Sequence, residues 1–188
     1  MRLEYPLLKT IELRLHMDTP YAENIFCEYF VSTLSQVYTP SQIIVLCIGT
    51  DRSTGDSLGP LVGEKLKKTC RHAHVFGNLS EPVHAGNLTK VLDDIKKTYR
   101  QPFIIAVDAS LGRVENVGTI KIAHGALKPG AGVNKDLPAV GNFHITGIVN
   151  VGGFMEYLVL QNTRLFVVMK MANIIAEGMT RGFAKFFG

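Results

Sequence analysis

The sequence predicts an α/β fold of three layers, an α/β/α sandwich whose mainly parallel sheet is covered by helices on both faces. Two observations carry that expectation. The runs Ile43, Ile44, Val45, Leu46, Cys47, Ile48 and Phe103, Ile104, Ile105, Ala106, Val107 are apolar without polar alternation, as strands covered on both faces are. Between and around them lie amphipathic patterns of 10 to 15 residues, the spacing of strand and helix alternation in a parallel sheet. With 188 residues the chain is expected to form one domain, 1–188, in which 1–40 stand as an N-terminal extension holding one helix.

The elements follow in order. After a leading segment of undefined form, Ile25, Phe26, Tyr29, Phe30 and Leu34 recur at helical intervals behind Asp18, Thr19 and Pro20, which predicts a helix. The strand from Ile43 follows Pro40, and a helix is expected from Ser57 to Thr69 with Asp56 or Ser57 as its cap. His74 to Gly77 read as a short strand. Asn87 can cap a helix whose Leu88, Val91, Leu92 and Ile95 share one face, and Gln101 and Pro102 stop it.

The strand from Phe103 is expected to end on Asp108. Val117 to Ala123 alternate like a strand with one exposed face, placed in a hairpin beyond Leu111 and Gly112. Gly125 to Asn142 hold six glycines and prolines, and such a long breaker-rich loop has the character of a functional segment or lid. A helix is expected over 153–162, a last buried strand over Leu165 to Met169, and a closing helix from Ala172 to Phe187.

Composition narrows the function classes. The chain is 46% hydrophobic and 19% charged, and its net charge of +4 is scattered, with small basic runs at the ends of predicted helices where cations complement the dipole. No aromatic residues interleave with those charges, so nucleic-acid binding is not expected. Cys27, Cys47 and Cys70 are odd in number and lack CxxC spacing, which points to a reducing, cytoplasmic setting rather than a disulfide framework. Lys9, Glu12 and Arg14 interrupt the N-terminus, and no run approaches the length of a membrane span.

The chemistry lies in the loop after the first buried strand. Asp56 and Asp108 follow the carboxyl ends of two strands expected to be central, where open α/β sheets place their sites. Two carboxylates sharing a proton can activate a water. Gly49 and Gly55 shape this loop, Asp51 is expected to brace it, and His144 is a candidate third polar group. Asp56, Asp108 and His144 would together be the set for a divalent metal, if one is bound; no resident cofactor is expected otherwise. A phosphate is disfavoured because the loop is acidic and lacks the P-loop and GxGxxG patterns. Val83-His84-Ala85-Gly86, before a helix, is a secondary feature.

The stretch Gly49-Thr50-Asp51-Arg52-Ser53-Thr54-Gly55-Asp56-Ser57-Leu58-Gly59-Pro60, with Val107-Asp108-Ala109, resembles the YyaC-like family of spore proteases. Leu127 to Val133 and His144 to Asn150 fit the same family, and the resemblance runs from about Pro40 to the C-terminus. That family is similar in turn to the germination proteases of spores and to the hydrogenase maturation endopeptidases. The resemblance implies a phosphorylase/hydrolase-like α/β/α fold and a sporulation-associated endopeptidase acting on a spore protein in the sporulating cell or spore interior. By the germination-protease pattern Asp56 and Asp108 are the catalytic pair. By the maturation-endopeptidase pattern Asp56, Asp108 and His144 would contact the substrate's nickel, although Gly55 replaces that group's preceding aspartate. The competing readings are a metal-assisted maturation peptidase and a non-catalytic module that binds a peptide or partner in the same crevice.

Overall fold

The computed structural model describes residues 12–129 and 137–188. Their six strands form one sheet, β1 (Glu12–His16), β2 (Ile43–Cys47), β3 (His74–Phe76), β4 (Phe103–Gly112), β5 (Thr119–His124) and β6 (Phe143–Val151). The spatial order is β1-β5-β6-β4-β2-β3. From β6 to β3 all neighbours are parallel, whereas β5 pairs antiparallel with both β6 and β1. The expected mainly parallel α/β/α architecture is present, and β2 and β4 are central as their apolar runs require.

The helices are α1 (Ala22–Val37), α2 (Leu58–Thr69), α3 (Leu88–Thr98), α4 (Glu156–Gln161) and α5 (Leu165–Phe187). The odd-numbered residues of β2, β4 and β6 bury one face against α1, α2 and α5, while Ile44, Leu46 and Ala106 turn the other way to meet Leu88, Leu92 and Ile95 of α3. None of the described helices is long and apolar enough to cross a membrane.

Several expectations need correction. The apolar run Leu165 to Met169 is no strand but the first turn and a half of α5, 23 residues long. Its buried positions Val167, Val168, Met171, Ala172, Ile174 and Ile175 follow helical spacing, with Leu165 and Phe166 exposed on the outer side. Five apolar residues alone do not separate the two states, so the longer period decides. The strands β1 and β6 were not expected. β6 completes the sheet between β4 and β5, so β5 forms no hairpin with β4. The helix placed at 153–162 is the shorter α4, begun by Met155 in a left-handed conformation. Of the Gly125 to Asn142 loop, residues 130–136 lie outside the described set, and the parts on either side meet at a Leu127 to Val140 bridge.

The N-terminal extension is part of the sheet and its cover. β1 pairs with β5, and α1 packs along α5. Phe30 stands at the centre of this packing, 5.0 Å between ring centroids from Phe183 and 5.9 Å from Phe143, both edge-on. Gly178 and Gly182 make room for it. A Cβ at Gly178 would lie 2.4 Å from Phe26 Cδ1 and one at Gly182 2.5 Å from Phe30 Cδ1. Gly178→Val is expected to overpack this contact and cost about 1 to 3 kcal/mol, read as a lower urea midpoint with unchanged slope.

Candidate active site

At the carboxyl edge of the sheet, β2 passes through Ile48 into Gly49, whose amide donates to the Val83 carbonyl at 2.7 Å. Gly49 has φ +137°, a left-handed region that favours glycine, and a Cβ there would sit 2.0 Å from the Asp56 carbonyl oxygen. The chain then loops through residues 50–54 into a 3₁₀ turn, Gly55–Ser57, that leads directly into α2. The Thr50 amide closes the loop on the Asp56 carbonyl at 3.0 Å, and the Asp56 amide donates to Ser53 O at 3.1 Å.

Neither expected cap acts as one. Ser57 occupies the capping position of α2 but donates its hydroxyl to Thr54 O at 2.7 Å, and the helix start has no side-chain cap. Asn87 likewise makes no capping bond to α3. Its amide instead fixes the preceding loop, accepting from the His84 amide at 2.8 Å and donating to Pro82 O at 3.0 Å. This holds Val83 and His84 beside the Gly49 turn, since Val83 bridges Ile48.

Asp108 lies inside β4 rather than beyond it, because the strand runs on to Gly112. The register pairs Val107 with Cys47 and Asp108 with Thr146, so Asp108 stands level with Ile48, just beneath the Gly49 loop. It is 6% exposed, and one carboxylate oxygen accepts from the Ala109 amide at 2.8 Å. Burial pushes its carboxyl well above the usual range and the charge of Asp56 raises it further, with the Ala109 amide opposing. Asp56 is partly exposed. Its burial raises the carboxyl to about 6, against a smaller opposing effect of the Thr50 amide. The two aspartates are thus electrostatically coupled, one open and one buried.

The other candidates divide. Gly55 shapes the turn as expected, for a Cβ there would lie 2.7 Å from Thr163 Oγ1. Asp51 is exposed and makes no hydrogen bond with the described residues; Thr50 braces the loop in its place, also accepting from the Arg52 amide at 3.3 Å. His144 belongs to β6, two residues closer to the strand's start than Thr146, and its Nδ1 is 2.9 Å from Gly125 O. That bond draws the ring toward the amino end of β6, away from the aspartates. Among the described residues no three His, Cys, Asp or Glu side chains are grouped so as to hold a metal ion. Asp56, Asp108 and His144 therefore do not fit a metal centre in this arrangement.

Sequence reasoning overlooked Thr146, buried beside Asp108, and the pair Asn150 and Thr163 behind Gly55. Period-two alternation across residues 143–151 was the available signal for the first two. Ser53 Oγ, in the same loop, is the buried side-chain polar atom left without a partner among the described residues. Next to this edge a groove of about 500 Å³ is lined by Val151, Phe154, Leu158 and Val159 with Asn150 and Asn162.

The family model described as "Protein of unknown function (DUF1256)" matches residues 14–178. The chain belongs to the DUF1256 family. Within reach of that family, the "Uncharacterized protein YyaC" of Bacillus subtilis (strain 168) is 57% identical over 166 residues, covering 88% of this chain and 80% of that protein. A [NiFe] hydrogenase maturation protease, HycI from Thermococcus kodakarensis KOD1, shares the fold at a TM-score of 0.50. Its sequence identity is 17%, over 80% of this chain and 98% of that one. The DUF1256 chain thus shares the α/β fold of that maturation protease, and the matched family region takes in β1 from residue 14 onward and all of α1.

Proposed function

We propose that this protein is an endopeptidase that cleaves a spore protein, with Asp56 and Asp108 activating water for attack on the peptide bond. The observation that carries the proposal is the pairing of two unlike carboxyls at the carboxyl edge of the sheet, Asp56 partly open with its carboxyl raised to about 6, Asp108 buried with its carboxyl raised well above the usual range. Paired groups whose surroundings separate their protonation states are the usual basis for an acid and base assignment. In this reading ionised Asp56 takes a proton from water as the oxygen attacks the carbonyl carbon. Protonated Asp108 supplies the proton that the leaving amine needs, and the C–N bond breaks.

No step runs through a metal, because the residues present do not form its ligand set. The likeness of fold to a maturation protease and the groove of mixed polar and apolar lining at the same edge support a peptide as the substrate class. Work on a spore protein, in the cytoplasm of the sporulating cell or inside the spore, rests on the family resemblance. The groove also favours a second reading, a module that binds a peptide without cleaving it. Incubating purified protein with a spore protein extract separates the two. Discrete fragments that appear with wild type and not with an Asp56→Asn, Asp108→Asn double variant support the peptidase. Retention of an intact polypeptide without fragments supports the binding module.

A further inference from the structure

We propose that Asn150 and Thr163 are positioning residues that clamp the Gly55 turn and so fix where Asp56 stands relative to Asp108. The proposal rests on the carboxylate-pair reading but makes a separate claim, about what holds the pair in place.

Asp56 is gripped from the β2 side by the Thr50 amide and by the close approach of Gly49. Its other side is set by Gly55, the residue before it. A Cβ at Gly55 would be 2.7 Å from Thr163 Oγ1 and 2.8 Å from Leu160 Cδ2, so the turn lies directly against the end of α4 with no space between.

Thr163 is 6% exposed, and its hydroxyl donates to Val159 O at 2.9 Å. That bond alone would satisfy the hydroxyl as a donor. Asn150 adds a second hold, donating through Nδ2 to Thr163 Oγ1 and to Val159 O, each at 3.2 Å. Its Oδ1 accepts from the Val151 amide at 2.9 Å, which fixes the amide's orientation. Asn150 sits on β6 opposite Leu111, just past the irregularity that follows Ser110 in β4. The chain of contacts therefore starts on the strand bonded to the one that carries Asp108, crosses to α4, and ends on the residue next to Asp56. Small displacements along it change the separation of the two carboxyls, and buried polar networks of this kind hold one geometry rather than many.

The test follows the titration of Asp56 by carbon-13 NMR of the carboxyl in the intact protein, which needs no substrate. Wild type is expected to titrate near 6. In Thr163→Val and Asn150→Ala the turn relaxes and water reaches Asp56, so its midpoint falls toward the ordinary carboxylate value by about half a unit or more. Thr163→Ser keeps the hydroxyl and is expected to restore the wild-type midpoint. Thr33→Val removes a comparably buried hydroxyl, bonded to Tyr29 O in α1, and serves as the control for general destabilisation.

An Asp56 midpoint that stays at the wild-type value in folded Asn150→Ala and Thr163→Val would overturn the proposal, as would an equal shift in Thr33→Val. If Thr163→Val does not fold, Asn150→Ala decides by the same criterion. The outcome is distinguishable from failure of the peptidase reading: a protein that cleaves nothing still reports the clamp through Asp56, and a confirmed clamp leaves cleavage to be judged by the aspartate variants.

Discussion

Asp56→Asn is expected to lower the cleavage rate about 10³-fold, with Asp108→Asn falling in the same range, because in the proposed mechanism each removes one of two proton-transfer groups. The two losses should not add, since the groups act as a unit. The pH dependence gives a sharper signature. Asp56 must be ionised to accept a proton from water, so kcat/KM in wild type should rise as pH passes through about 6. Asp108 must stay protonated, so the rate should fall again at higher pH, where its raised carboxyl finally ionises. The profile is bell-shaped, and its two limbs belong to the pair rather than to either residue alone. In Asp56→Asn the acidic limb should disappear. Steady-state kinetics on a fragment-yielding substrate across the pH range checks both the magnitude and the shape. A 10³-fold loss with the limb unchanged would assign it to another group.

The same variant should be more stable than wild type. Folding raises the Asp56 carboxyl from 3.8 to about 6, so its contribution to stability is fully present below pH 3.8 and is lost as pH rises through 6. At pH 7 that loss is roughly 3 kcal/mol, at 1.36 kcal/mol per unit. Asparagine does not ionise and avoids it. Denaturation of wild type and Asp56→Asn should therefore diverge between pH 4 and 6, with the variant more stable above and the two converging below pH 3.8. Asp108→Asn has the same sign, because burial and the Asp56 charge both raise its carboxyl. Wild type retaining equal or greater stability at pH 7 would mean that burial of Asp56 carries no such cost. Under the proposed mechanism this is an exchange of stability for activity.

Much of the fold was legible where residues settle their own state. Ile43 to Cys47 and Phe103 to Val107 are apolar on both faces and became the central parallel strands. The amphipathic spacing of Leu88, Leu92 and Ile95 gave α3 almost to the residue. Legibility failed where the deciding partner is remote. Leu165 to Met169 look like a strand in isolation, and only their continuation at helical spacing into Phe183, packed on Phe30, makes them α5. β6 was hidden by Gly147 and by His144 and Thr146 among its apolar residues. Its identity depends on being paired on both sides, by β4 and β5.

For the site, Asp56 and Asp108 could be matched because each follows an apolar run that ends at the same sheet edge. His144 and Asp51 could not be placed by that logic. Where a ring or carboxylate points depends on single contacts, such as His144 to Gly125 O, which leave no trace in residue spacing. Asn150 and Thr163 meet across 13 positions through a helix that the sequence placed only loosely.

The coupled pair is tested most directly by a carboxyl carbon-13 NMR titration that resolves Asp56 and Asp108 in the folded protein, in wild type and in Asp56→Asn. Asp56 is expected to titrate near 6 and Asp108 well above the ordinary carboxylate range, with the Asp108 midpoint falling when the Asp56 charge is removed. Two carboxyls that titrate independently near the ordinary value, with Asp108 indifferent to Asp56→Asn, would contradict it.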